Sequence, residues 1–239
     1  MNIVVLLKQT PDTESVIRIA GDSKSIVTDD LKWIINPYDE FAVEAALRLK
    51  EKHGGSVTIV SLGPQRVIES IRTALAMGAD SGVLVDDDAL EGSDSLGLAK
   101  ALAAAVKELD PEIVLCGSRA VDSDGSKVQI DRPIEGGKVT AEAELPAVVT
   151  LGGSHAVWNP RYASLPGIMK AKKKPLAIKK LADIGVDASE CGAGAAKIRI
   201  TALEMPPQRA AGRIINGDLD TAGKAQELVK ALHEEAKVI

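Results

Sequence analysis

A doubly wound α/β fold is what the 239-residue sequence predicts: a mostly parallel sheet between two helix layers, followed by a C-terminal arm. Three observations lead there. Four apolar runs, Asn2–Leu7, Val57–Ser61, Val83–Val85 and Ile113–Cys116, alternate with three segments of helical period. Short turns join them, which is the spacing of βαβ units. Aromatic residues are scarce (Trp33, Trp158, Tyr38, Tyr162 and Phe41), so the core must be Val, Ile, Leu and Ala, as suits parallel strands buried on both faces.

Taken in order, Asn2–Leu7 ends at Lys8 and reads as a central strand. Val16–Ala20 and Ser25–Thr28 flank Gly21-Asp22-Ser23 and predict a small hairpin. Asn36-Pro37-Tyr38-Asp39 is a helix start, with Asn as N-cap, Pro at the first helical position and an acid at the third. Ala42, Ala45, Ala46 and Leu49 then recur at helical spacing and predict its buried stripe. Gly63-Pro64 opens a second helix with Val67, Ile71, Ala74 and Leu75 inward, and Ser93-Asp94-Ser95 caps a third, Leu96 to Leu109. Beyond Gly117 a polar loop carries Asp122 and Asp124. Val128–Ile130 and Lys138–Ala143 predict a hairpin around Glu135-Gly136-Gly137, and Pro146–Thr150 a last buried strand. A charged helix, Thr221 to Lys237, follows the Pro206-Pro207 joint. This divides the chain into an α/β domain over 1–190 and an extension over 191–239, whose terminal helix reads either as an arm packed on another subunit or as a helix docked on its own chain.

Net charge is −5 and the sequence pI about 5.4, which gives no electrostatic case for nucleic acid. Few aromatics also leave no stacking platform for single strands. Cys116 and Cys191 stand far apart, so neither a disulfide framework nor a zinc site is implied. No apolar run is long enough to span a membrane. The chain reads as soluble and cytoplasmic.

Two stretches are candidates for function. In a doubly wound sheet, ligands sit beyond the carboxyl ends of the strands, where the Asn36–Asp39 helix start and the Asp122–Ser126 loop both lie. Good capping plus a turn explains the same residues. Neither a Gly-x-x-x-x-Gly-Lys-Ser/Thr nor a Gly-x-Gly-x-x-Gly signature is present. Asn159–Lys174 sets Tyr162, Leu165, Ile168 and Met169 among two prolines, a glycine and Lys170, Lys172, Lys173 and Lys174. It reads either as a docking element or as a surface loop running into a short basic helix. His53, His155 and His233 stand apart from any nucleophile, so the chain reads as a binding protein rather than a catalyst.

Four motifs spanning nearly the whole chain resemble the beta (small) subunit of electron transfer flavoprotein. They are Val4–Asp12; Asn36–Glu44 with Arg48-Leu49-Lys50; Arg72–Asp80; and Pro160-Arg161-Tyr162-Ala163-Ser164-Leu165-Pro166-Gly167-Ile168-Met169-Lys170-Ala171-Lys172-Lys173-Lys174. The resemblance implies an adenine-nucleotide-binding α/β fold and a heterodimer with an alpha subunit that holds the redox FAD. It implies AMP, or a second FAD, bound in this subunit. The contacts implied are Leu6, Asn36, Pro37, Tyr38, Asp39, Leu62, Asp122, Ser123, Asp124, Gly125 and Ser126, with Tyr38 near the flavin across the interface. Acyl-CoA or related dehydrogenases are the implied donors and a quinone oxidoreductase the acceptor. Docking is implied for Arg161, Tyr162, Leu165, Pro166, Ile168, Met169 and Lys170, with Leu165 as the anchor.

One departure stands out. In the family the Asp122–Ser126 loop continues through a Gln-x-Gly segment, a helix and a strand before the Glu-Gly-Gly hairpin. Here Gly125-Ser126-Lys127-Val128 meets Gln129 at once, so about 25 to 30 residues of the pattern are absent, far more than an ordinary loop-length difference. That segment would close the pocket over the phosphates, so AMP and a second FAD stay open as alternatives. A stand-alone adenine-nucleotide sensor of the universal-stress type shares the sheet topology, but it leaves Pro160–Lys174 unexplained.

Overall fold

Alternate residues of a strand face opposite sides of its sheet, so a strand apolar on both faces must be covered twice. The computed structural model describes residues 1–118, 131–134, 137–140, 147–152, 158–206, 214–215, 220–235 and 237–238, with 131–134 and 137–140 as backbone. It divides into two units, Met1–Leu203 and Glu204–Ile239.

The first unit is built on a six-stranded parallel sheet. Its strands are β1 (Asn2–Leu6), β4 (Ser56–Leu62), β5 (Ser81–Val85), β6 (Ile113–Gly117), β9 (Ala147–Leu151) and β10 (Leu176–Lys179), in the order β10-β5-β4-β1-β6-β9. Strands β2 (Gln9–Pro11) and β3 (Trp33–Ile35) form a separate antiparallel pair, as do β7 (Asp131–Ile134) and β8 (Gly137–Thr140). Helices α1 (Pro37–His53) and α2 (Val67–Met77) cover one face with Ile3, Val5, Ile59 and Leu115 beneath them. Helix α3 (Ser95–Lys107) covers the other, where Val4, Val60, Val83 and Val114 meet Ala101 and Ala105. The α/β fold expected from the sequence is therefore the fold observed. The chain builds β4 and β5 on one side of β1 and then crosses to build β6 on the other, so the topological switch lies between β1 and β6.

Local chemistry explains most elements. Asp94 caps α3, its carboxylate accepting from the Leu96 and Gly97 amides at 3.1 and 3.0 Å. The stripe expected on α2 (Val67, Ile71, Ala74, Leu75) is buried as a set. On α1 the buried arc is wider than expected and shifted: Val43, Glu44 and Leu47 are buried and Leu49 only partly, because α1 packs across β1, β4, β6 and β9 together. The hairpin expected around Gly21 is reduced to one antiparallel bridge, Ile19 to Ile26. The later hairpin is present as β7–β8, its first strand beginning at Asp131, while Val128–Ile130 lie outside the described residues.

Two expectations are corrected. The 147–151 strand is not the last, because β10 pairs with β5 at the opposite edge, and Val148 is 44% exposed; among the described residues β9 pairs only with β6. The helix that one reading of Asn159–Lys174 places at its basic end begins earlier than expected, since residues 165–171 already form the helix α4 (Leu165–Ala171). Ser164 caps it, and Pro166 sits in the first turn, where its missing N–H is not needed. The first unit also holds a single helical turn, α5 (Gly192–Ala195), and in the second unit α6 (Thr221–Lys230) is capped by Asp220 and runs on through a π turn to Glu235.

The approach of α1 to the end of β6 leaves no room at Gly117, where a Cβ would lie 2.5 Å from Asp39 Oδ1 and 2.7 Å from Tyr38 Cβ. G117A is expected to destabilise the protein by about 1–3 kcal/mol in denaturant unfolding. G21A, at a position with nothing within 4 Å, should change stability by no more than about 1 kcal/mol.

Candidate functional site

The strand ends nominated by the sequence come together. Because β4, β1 and β6 are neighbours, Leu62, Leu6 and Gly117 line one rim, and the first turn of α1 sits over the β1/β6 switch. Leu6 and Leu62 keep half-buried apolar side chains there. Tyr38 and Pro37 are half-buried, while Asn36 and Asp39 are 1% and 5% exposed. Asp122, Ser123, Asp124, Gly125 and Ser126 lie outside the described residues.

Asp39 is the joint of this rim. Its Oδ2 accepts from the Lys8 amide just past β1 (2.7 Å) and its Oδ1 from the Gly117 amide closing β6 (2.9 Å). Burial pushes its carboxyl up to about 6, and bonds from the Lys8 and Gly117 amides and the Asn36 side chain pull back against that. Asn36 occupies the N-cap position but makes no side-chain cap, since its side chain turns to Asp39. Its carbonyl accepts from the Asp39 and Glu40 amides at 2.8 and 3.3 Å. Those two donors are thus spent inside the first turn of α1. Nearby, burial pushes the Cys116 thiol up to about 11, so it stays protonated at neutral pH.

The second candidate, Asn159–Lys174, is clamped from two sides, by α1 and by α2. Arg161 Nε and Nη2 donate to Glu44 Oε2 and Oε1 of α1 (2.8 and 3.1 Å), its Nη1 donates to Glu51 Oε1 (2.5 Å), and its amide donates to Glu44 Oε2 (3.1 Å). Arg48 holds the same Glu44 at 2.7 Å. Glu44 is 1% exposed. Burial pushes its carboxyl up, but the bonds from Arg161 and Arg48 together leave it below the usual range. Those of Glu44 and then Glu51 raise Arg161 in turn. On the α2 side, Arg72 Nη1 donates to the Ala171 and Lys174 carbonyls (2.6 and 2.8 Å), and Lys174 Nζ to the Leu75 and Ala79 carbonyls (2.9 and 2.5 Å). Each cation thus satisfies carbonyls at a helix end. At Gly167 a Cβ would lie 2.4 Å from the Ala76 carbonyl oxygen, so only glycine lets α4 rest on α2, and Ala171 is buried beneath it.

What this clamped backbone presents is apolar. Tyr162 is 97% exposed, Leu165 73%, Met169 68% and Ile168 45%. Pro166 and Lys170 are exposed beside them, as are Lys172 and Lys173. Arg161 and Lys174 are half-buried, their donors spent on Glu44, Glu51 and backbone carbonyls. Glu44, Glu51, Arg72, Gly117 and Gly167 were not singled out by the sequence as site residues. The only available hint was the i, i+4 and i, i+7 spacing of Glu44, Arg48 and Glu51 on one face of α1.

A family model described as "Electron transfer flavoprotein domain" matches residues 24–124. "Electron transfer flavoprotein subunit beta" of Bacillus subtilis (strain 168) is 36% identical over 266 residues, covering 100% of both chains. This chain belongs to the family of electron transfer flavoprotein beta subunits. Proteins of the same name from Thermoanaerobacterium thermosaccharolyticum and Homo sapiens are 37% and 36% identical, covering 98% and 95% of this chain and 98% of each relative. The Bacillus alignment runs over 266 positions against 239 residues here, a difference of 27 that falls within the 25 to 30 residues the resemblance implies are absent. Among the described residues, no helix is long and apolar enough to cross a membrane.

The raised carboxyl of Asp39 has a definite sign in stability. Burying its charged form costs most above pH 6, and that cost is gone below the ordinary carboxylate pKa of 3.8. Relative to D39N, the wild type should gain about 2 kcal/mol of unfolding free energy as pH falls from about 7 to about 4. Urea unfolding at the two pH values measures it, and a difference that does not move with pH would count against a buried, titrating Asp39.

Proposed function

We propose that this chain is the nucleotide-holding subunit of a heterodimeric electron carrier and that it docks dehydrogenases through residues 159–174. The observation that carries the reading is the rigid presentation of Tyr162, Leu165, Ile168 and Met169 on a backbone clamped to α1 and α2. A contiguous exposed apolar patch is costly unless something covers it, and a pre-ordered one binds without a further ordering cost. Leu165 is the anchor. Lys170, Lys172 and Lys173 form a basic surround suited to an acidic rim on the partner.

The name shared by the relatives supports an alpha subunit as permanent partner and an FAD shared with it. A second nucleotide, AMP or another FAD, belongs at the β1/β6 switch in this reading. The rim suits an adenine: Leu6 and Leu62 offer half-buried apolar side chains on adjacent strand ends, and Asn36, Pro37, Tyr38 and Asp39 form the wall beside them. Asp122–Ser126 would hold the phosphate side. Bound FAD supplies the storage and release of electrons, and this chain supplies binding and orientation. Acyl-CoA or related dehydrogenases are the donors and a quinone oxidoreductase the acceptor. In the second unit, no residue of α6 is buried and Leu228 and Val229 are half exposed, which fits an arm that packs on the alpha subunit.

In the intact heterodimer, L165A should raise the KM of the cognate dehydrogenase for the carrier roughly 30-fold, as for loss of a buried anchor, with flavin content unchanged. Unchanged transfer kinetics would remove Leu165 as the anchor. Denaturing the co-purified heterodimer and separating its nucleotides should release one FAD with one AMP, or two FAD. Absence of flavin would overturn the carrier assignment.

A further inference from the structure

We infer that Glu44 is a positioning residue for partner docking, holding the Tyr162–Met169 display in register from inside helix α1. The inference rests on the docking reading above and extends it to a residue that no partner can touch, since Glu44 is 1% exposed. Three features set it apart from an ordinary ion pair. Both Glu44 carboxylate oxygens are engaged by Arg161, at 2.8 and 3.1 Å, and the Arg161 amide adds a third bond at 3.1 Å. The carboxylate therefore fixes the backbone at Arg161 as well as its side chain, directly before Tyr162 and four residues before Leu165. A bidentate, planar pairing also sets angle as well as distance.

The residues facing Glu44 are all cations that hold it: Arg161 from the docking segment and Arg48 one turn on along α1, with Glu51 sharing Arg161 from the exposed side. A buried pair of this kind contributes little net stability against an apolar replacement, whereas it selects one geometry among several. The far end of the display has separate supports in Gly167, Arg72 and Lys174, so loss of Glu44 loosens the Tyr162–Leu165 end without freeing α4.

The test is a double-mutant cycle in the intact heterodimer, read in steady-state transfer from the cognate dehydrogenase. E44Q should raise the KM for the carrier about fivefold or more, with kcat within about twofold and flavin content retained. E51Q, which removes only the exposed partner of Arg161, should give a smaller rise in the same direction. In an L165A background E44Q should add less than about twofold, because its effect runs through Leu165. If E44Q fails to fold, R161Q, which leaves Glu44 its Arg48 partner, is read by the same criteria. The inference is overturned if L165A raises KM while E44Q does not, or if the E44Q effect multiplies in full on top of L165A. If L165A itself has no effect, the docking reading falls, and the role of Glu44 with it.

Discussion

A buried carboxylate must find donors, and helix α1 buries two of them. Asp39, in its first turn, draws the amides that close β1 and β6. Glu44, five residues on, draws Arg48 and Arg161. The first set joins the helix to the rim where the sheet changes direction. The second fastens a segment more than a hundred residues away in sequence to the same helix. The strand-end rim and the exposed Tyr162–Met169 surface thereby share one rigid support. Gly117 belongs to the same constraint, because the α1 start sits where any side chain on β6 would stand.

The display itself follows from what is spent beneath it. Basic residues around Leu165 divide into two kinds that composition cannot separate. Arg161 and Lys174 are consumed on Glu44, Glu51 and helix-end carbonyls, whereas Lys170, Lys172 and Lys173 remain at the surface. What is left outside is apolar in the middle and basic around it, as expected of a surface that chooses a partner by shape and approaches it by charge. No such arrangement is needed by a nucleotide sensor acting alone.

Much of this was legible in the chain. The parallel sheet showed in the aliphatic runs, α2 in its inward stripe, and the α3 start in Asp94. The α1 start shows in Asn36-Pro37 and the acid at Asp39, but nothing local reveals that the Asp39 carboxylate also serves two strand ends. Where reading by local pattern stopped, the causes are physical. Strand β10 is four residues long between Pro175 and Lys180 and exists because β5 offers it an edge. Leu165-Pro166-Gly167 has poor helix propensity, and α4 forms because Gly167 can sit on the Ala76 carbonyl and Ala171 can be buried. Long-range partners such as Glu44 and Arg161 leave no trace at fixed spacing.

Under the proposed docking role, residues 159–174 are ordered before any dehydrogenase arrives. Amide hydrogen exchange on the intact heterodimer, without donor or acceptor protein, tests it most directly. The amides of Arg161 and Ile168, bonded to Glu44 Oε2 and the Ser164 carbonyl, should be protected to a degree approaching that of α2. Exchange of both at the rate of an open loop, with protection gained only when a dehydrogenase is added, would contradict it.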